Sequence, residues 1–492
     1  MTTAQEFERR RWIALALLCF AQFIVVLDAS IVNVALPSIG EGLNFSQENL
    51  SWVVNAYVLT FGGFLLLGGR LADLLGRRRV FIGGLLLVAA ASLAAGFASS
   101  EGQLIAARAA QGLGAAIISP AALSIVTTTF RDGAERNKAL GAWGAVAGAG
   151  GAAGVLFGGI LTDGLGWEWV LWINVPVALI VAALAPRLIA ESRSESATRN
   201  FDTAGAVAVT AGLSVLVYAI VDAADAGWGS TQTIGLLALA AGLLAAFVAV
   251  ELRSAAPLMP FRIFRLPTLT GANAVGLLVG ASLFSMFFFI TLYMQQVLGY
   301  SAIDAGLSYL PLAVMIIVAS GIASQLVTRI GFKPVLAAGM AFIAAALVWF
   351  SQVSVGGGFV SDILGPSLLA ATGLGFAFVT TTIAAVSGVR DQESGLASGL
   401  INTSQQIGGA LGLAVLATIA NSRTDDVVAS SGGDPAALPN ALTEGFQSAF
   451  LGGAVIAGLG LVLTLVLIRG RDSRAHVELG SPGAERLAEA DA

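Results

Sequence analysis

Fourteen apolar segments, each long enough to cross a bilayer, divide this chain. They run roughly over 12–36, 50–71, 80–98, 103–129, 139–161, 168–189, 203–222, 233–251, 268–294, 305–327, 334–353, 360–382, 396–420 and 446–468. A bilayer core takes about 20 apolar residues in helical form. In lipid the backbone has no water to bond, so each segment satisfies its own polar groups as a helix. Barrel strands would be about 10 residues long and alternate in polarity, and these segments do neither. The predicted fold class is an all-α integral membrane protein with 14 transmembrane helices. Composition agrees: of 492 residues, 57% are hydrophobic and only 11% charged, against about 25% charged in a soluble domain.

The charges are sorted by side. With the N-terminus in the cytoplasm, 23 of the 25 basic residues fall in cytoplasmic connections; Arg423 lies outside and Arg108 within a span. The outer connections hold Glu41, Glu48, Glu101, Asp163, Asp222, Asp225, Asp304, Asp425 and Asp426. This bias follows the positive-inside rule. It predicts a multi-pass cell-membrane protein with both termini cytoplasmic. Arg9, Arg10 and Arg11 precede an apolar run too long for a signal peptide, so the run is read as an uncleaved first span.

The widest cytoplasmic connections, about 190–202 and 252–267, bracket spans seven and eight. The predicted organisation is an N-terminal six-helix half (12–189), two inserted helices (203–251), a C-terminal six-helix half (268–468) and a disordered cytoplasmic tail (469–492). The loop Gly69–Arg79 has a counterpart in Thr328–Lys333, with Gly76 opposite Gly331 and Arg78 opposite Lys333. Such weak internal symmetry is expected of repeated transporter halves.

Asp28 is the one acid near the middle of a span, and a charge there costs several kcal/mol, roughly 2.5–3.5. Arg108 lies at a similar depth, about 8 Å from the outer end of its span against about 12 Å for Asp28. The pair is therefore expected to face a shared cavity. Burial opposes the charged carboxylate and a guanidinium favours it, so its protonation can follow conformation. A static ion pair that locks two helices is the plainer alternative. Gln111 shares the Arg108 face of its helix. Asn33, Asn55, Tyr57, Gln111, Trp143, Asn402 and Gln405 are the candidate lining of a substrate cavity. For each, inter-helix hydrogen bonding or packing is the competing reading. In Gly69–Arg79, Asp73 can cap a neighbouring helix N-terminus and pair with Arg77, a latch between states. In span five, Gly144, Gly148, Gly151 and Gly158 fall on one stripe, suited to close helix packing.

Several chemistries are excluded. The single cysteine, Cys19, allows no internal disulfide, and the single histidine, His476, allows no His-based metal cluster. Only two lysines occur, Lys138 and Lys333, and neither sits in a phosphate-binding loop. No metal, cofactor, enzymatic reaction or nucleic acid is expected. The expected partners are a small-molecule substrate, protons and the lipid bilayer, with the chain acting as a monomer.

Four stretches give the chain a resemblance to the major facilitator superfamily, specifically its fourteen-span drug/proton antiporters, over about residues 10–470. Leu27–Pro37 is similar to the span-one signature, with Ser30 where Thr is common. Gly69–Arg79 is similar to the loop signature after span two, and Arg108, Gln111, Gly112 and Gly114 to that of span four. Gly141, Gly150, Gly154, Gly158 and Gly159 match the span-five antiporter signature, with Val155 where the family has Pro. The resemblance implies alternating access between two six-helix halves around a central cavity. It implies that Asp28 is the proton site with Arg108 its partner, and that Asp73, Arg77, Gly69 and Gly76 form a cytoplasmic latch. The expected function is proton-coupled export of amphipathic or lipophilic small molecules. Export of one endogenous metabolite is an alternative. A non-transporting membrane sensor is another, although no loop or tail is long enough for a signalling domain.

Overall fold

The structure, a computed structural model, describes residues 3–45, 47–50, 52–130, 133–193, 202–254, 257–432 and 434–479. Among these residues there are helices and no strands. The first six long helices are α1 (Thr3–Leu43), α2 (Trp52–Leu75), α3 (Arg77–Gly96), α4 (Glu101–Thr129), α5 (Ala134–Leu165) and α6 (Asn174–Leu188). Two follow, α7 (Thr203–Ala226) and α8 (Thr231–Glu251). The next six are α9 (Pro267–Leu292), α10 (Leu310–Ile330), α11 (Phe332–Phe350), α12 (Gly365–Val386), α13 (Ser394–Ser430) and α14 (Leu438–Leu467). A short α15 (Gly470–Leu479) ends the described chain.

Among the described residues, 13 helices are long and apolar enough to cross a membrane. The fourteenth predicted span is α13, whose polar run Asn402, Thr403, Ser404, Gln405 and Gln406 lowers its hydropathy. It tolerates that run because it is enclosed by α2, α4, α7, α9 and α14, which shelter polar groups from lipid.

Glycines set how closely the helices cross. A Cβ at Gly280 would stand 2.1 Å from the Gln405 carbonyl oxygen, and one at Gly408 1.9 Å from that of Leu277. The backbones of α9 and α13 therefore touch. A Cβ at Gly63 would lie 2.2 Å from the Ser214 hydroxyl, which seats α7 on α2. Helix α8 then packs on α7.

Gly76 and Gly331 each join two consecutive helices, at φ of +108° and +84°. Residues with a Cβ rarely adopt that region. After each glycine a first-turn N–H is capped from the chain that follows the sixth helix in its set, Glu191 just beyond α6 and Ser473 in α15, beyond α14. Arg78 donates to Glu191 Oε1 (3.1 Å) and Lys333 to Ser473 Oγ (3.0 Å). The correspondence of Gly76 with Gly331 and Arg78 with Lys333 thus recurs in the backbone.

The expectation of a disordered tail over 469–492 is corrected for its first part. Residues Gly470–Leu479 form α15, docked through buried Ser473 and His476. His476 Nε2 lies 3.0 Å from Asn137 Oδ1 of α5, and its ring meets Phe332 of α11 edge-on. Its packing rests on these polar and ring contacts rather than on an apolar face, so a polar sequence still folds onto the bundle. Residues 480–492 lie outside the described residues.

Candidate functional site: a buried ion pair and a basic-end clasp

Asp28 lies in the middle of α1 and is 2% exposed; Arg108 of α4 is fully buried. Arg108 Nη1 donates to Asp28 Oδ2 at 2.7 Å. The other carboxylate oxygen, Oδ1, accepts from Asn174 Nδ2 of α6 at 2.6 Å and Gln111 Nε2 of α4 at 3.3 Å. Arg108 also donates to Gln111 Oε1 (3.0 Å) and, through Nε, to the Val53 carbonyl of α2 (3.0 Å). Its guanidinium sits 4.5 Å from the Tyr57 ring centroid, close enough for a cation–π contact. Tyr57 donates in turn to the Val25 carbonyl (3.0 Å), and Gln111 to Ser92 Oγ of α3 (2.8 Å).

Five helices, α1, α2, α3, α4 and α6, therefore close around one carboxylate. An isolated charge in so dry a place would be prohibitive, and this one accepts three donors, one of them a cation. The expectation of a shared cavity is corrected. Helix depth, read from sequence, brings Asp28 and Arg108 to one level but does not give the direction each faces. Both face the interior of the first six helices, enclosed in this conformation.

The glycines of α5 explain how α1 is held. A Cβ at Gly154 would meet Ser30 Oγ at 1.8 Å and the Leu27 carbonyl at 3.0 Å; at Gly150 it would meet Val26, and at Gly158 the Ile31 carbonyl. These three glycines, spaced by four, seat the Asp28 segment directly on α5. Gly141 instead faces Ser324 of α10, and Gly159 faces Ile303. The stripe of Gly144, Gly148, Gly151 and Gly158 is not one contact row: Gly144 meets Val379 of α12, and Gly151 has nothing within 4 Å. Helix α5 runs unbroken through Gly154 and Val155.

The structure brings only Tyr57 and Gln111 of the candidate lining residues to Asp28. Asn33 is exposed and donates to its own helix at Ala29, and Asn402 does the same at Ser398. Asn55 and Gln405 are half-buried, and Trp143 is 4% exposed within the core. Among the described residues none of these five bonds to the ion-pair network. Asn174 and Ser92 were missed. Asn174 lies in the first third of the predicted span 168–189, where an amide reads as a residue near the boundary, and Ser92 is one of many small polar residues in apolar helices.

A second cluster lies at the arginine-rich end of the bundle. Asp73 is fully buried at the end of α2, and Arg77 bonds its Oδ1 through Nη2 (2.9 Å) and Nε (3.2 Å). The same carboxylate accepts from the first-turn N–H groups of α13, Gly395 to Oδ1 (3.2 Å) and Leu396 to Oδ2 (3.1 Å). A carboxylate at a helix N-terminus meets unpaired donors and the positive end of the helix dipole. The approach is possible because Gly69 and Gly395 cross without side chains; a Cβ on either would lie 2.4–2.5 Å from the other's carbonyl oxygen. Ser124 and Ser394 hydroxyls (2.7 Å) and the Asn137–Thr328 bond (3.0 Å) join the same two sets of helices here.

This architecture has known counterparts. Residues 18–413 match the family model of the Major Facilitator Superfamily. The chain is 44% identical to the cephamycin export protein CmcT of Amycolatopsis lactamdurans, covering 92% of each chain. It is 39% identical to a puromycin resistance protein of Streptomyces alboniger, over 96% of this chain and 94% of that one. In fold it is similar to the xylose symporter XylE, with TM-score 0.66, 12% identity, and 94% and 96% of the two chains covered. It is likewise similar to the human organic anion transporter TETRAN, with TM-score 0.64, 14% identity, and 93% and 99% covered. The relatives are membrane transporters and none is an enzyme, and the chain belongs to the major facilitator superfamily, among its drug-efflux and antibiotic-export transporters.

Proposed function

We propose that this transporter exports amphipathic, lipophilic small molecules from the cytoplasm in exchange for protons, with Asp28 carrying the proton. The arginine-rich end then faces the cytoplasm, with both termini on that side. Helices α1–α6 and α9–α14 are the two moving halves, α7 and α8 an inserted pair, and the chain works as a monomer. The observation that supports this is the saturated carboxylate of Asp28. Among the described residues it is the sole mid-span acid, it is dry, and Arg108, Asn174 and Gln111 stabilise its charged form. Taking up a proton neutralises the carboxylate, leaves Arg108 without its counter-charge and forces a donor to let go. A protonation event is thereby tied to how α1, α4 and α6 pack. Puromycin is a reasonable probe, given the relative named for resistance to it. The test is puromycin uptake into everted vesicles, which should collapse when a protonophore is added. Unchanged uptake would exclude proton coupling.

The relatives named for single antibiotics favour a second reading, export of one endogenous metabolite. A panel of toxic compounds, tested on cells with and without the protein, separates the two.

Asp73 and Arg77 serve as the latch. They clasp α2 to α13 at the end that must open to admit substrate from the cytoplasm. Asp73→Ala is expected to lower turnover about tenfold while equilibrium puromycin binding stays within about twofold, because the clasp acts on state populations and is far from Asp28. Equal loss of binding and turnover in a folded variant would remove the latch role.

Charge selectivity follows from the same inventory. Asp222, Glu251, Asp304 and Asp362 lie at helix ends, Asp73 is held by Arg77 and the first turn of α13, and Arg108 already neutralises Asp28. A second positive charge on a substrate would find no acid, leaving a large desolvation cost. In vesicles, monocations and neutral compounds should be exported at least about tenfold faster than matched dications, since about 1.4 kcal/mol already gives that ratio. Equal rates would show that a helix-end acid reaches the cavity.

A further inference from the structure

Asn174 stands at the start of α6. A short helix, Trp169–Trp172, ends at Ile173, and α6 restarts at Asn174. Pro176 falls in the first turn of α6, where backbone N–H groups have no partner to lose. The Asn174 side chain is 1% exposed.

Three donors meet the Asp28 carboxylate, and they differ in how free they are. Arg108 is tied to Gln111 and Val53. Gln111 is tied through Oε1 to Arg108 and through Nε2 to Ser92. Asn174 makes the shortest of the three contacts, 2.6 Å, and among the described residues this is the one hydrogen bond of its side chain. An ionised carboxylate only accepts, so the amide faces it through nitrogen; a protonated acid must also donate. Gln111 cannot turn over without setting its amide nitrogen against the Arg108 guanidinium, a donor against a donor. Asn174 can rotate its amide and present its oxygen instead.

We propose that Asn174 is the positioning residue that sets how tightly Asp28 holds its proton, donating to the carboxylate and, after rotation of its amide, accepting from the acid. The inference rests on Asp28 being the proton site. The groups facing Asp28 are Arg108 and Gln111 from α4, Asn174 from α6 and, through Gln111 and Arg108, Ser92 from α3 and Tyr57 from α2. Helix α5 contributes glycines here. Arg108 is the one charged group in contact with Asp28 among the described residues, and it is present in both protonation states. The exchange of amide faces is therefore a change that protonation itself drives.

The expected shift follows from two unequal bonds. The bond to the charged carboxylate is worth more than the bond to the neutral acid. Losing both in Asn174→Leu should move the protonation midpoint upward, by about 1 pH unit. The measurement is infrared titration of the purified full chain in lipid, following the protonated-carboxyl band that Asp28→Asn removes. Asn174→Leu should shift its midpoint up, and Asn174→Gln, which keeps an amide, should bring it back toward wild type. Asn174→Ala provides the same comparison if the leucine variant does not accumulate. A wild-type midpoint in a folded Asn174→Leu or Asn174→Ala variant overturns the inference and leaves Asp28 as the proton site. If wild type and Asp28→Asn show no difference in this band, the proton-site reading itself is overturned.

Discussion

Asp28→Asn is expected to yield a membrane-inserted protein that exports no puromycin in response to a proton gradient. Asparagine keeps the shape and one acceptor oxygen, so Asn174 or Gln111 can still bond to it. It cannot take up or release a proton. The substitution leaves Arg108 without its counter-charge, and breaking a buried pair costs about 3–5 kcal/mol. That cost is softened because Arg108 retains the Val53 carbonyl, Gln111 and the Tyr57 ring. Reduced thermal stability is thus predicted alongside complete loss of gradient-driven export. Equilibrium binding of puromycin should persist, since the carboxylate is enclosed by helices and not presented to substrate. Transport at the wild-type rate would show that the carboxylate only holds α1 to α4.

Gly154→Leu is expected to abolish export by displacing α1 rather than by touching the ion pair. A Cβ at Gly154 would already stand 1.8 Å from Ser30 Oγ and 3.0 Å from the Leu27 carbonyl, on the two sides of Asp28 in the chain. The first atom can rotate away, but the carbonyl is backbone and cannot. Overpacking of this kind costs about 1–3 kcal/mol, and more for a larger side chain. It would act on the segment that must keep Asp28 2.7 Å from Arg108. Gly151 is the control, because a Cβ there meets nothing within 4 Å. Export by Gly154→Leu should fall at least about tenfold, that of Gly151→Leu less than about twofold, and Gly154→Ala should be partly rescued by Ser30→Gly. Equal effects at Gly151 and Gly154 would mean that the α1–α5 seam is not what positions Asp28.

Much of the fold was legible in the sequence because lipid enforces one solution for each apolar segment. The polar run in α13 did not hide that span, since its length and flanks still matched. Pairing of Asp28 with Arg108 was legible for a related reason: two opposite charges at one depth in lipid can hardly stay apart. The direction they face was not legible. Rise along a helix gives depth, but the face is fixed by neighbours, here by Gly150, Gly154 and Gly158 on α5. Asn174 was hidden because a single amide in an apolar segment leaves no periodic signal, and its bond to Asp28 spans 146 residues of chain. Helix α15 was hidden because Ser473 and His476 dock it through hydrogen bonds and a ring contact, while its residues read as a solvated tail.

The central claim is that each export cycle moves a proton through Asp28. Its most direct test is simultaneous measurement of proton and puromycin flux in proteoliposomes holding the purified protein, with pH gradients of both signs. The account predicts about one proton exchanged per substrate, as expected of a single intramembrane carrier, and no coupled proton flux in Asp28→Asn. Coupled proton flux at the wild-type ratio in Asp28→Asn would contradict it.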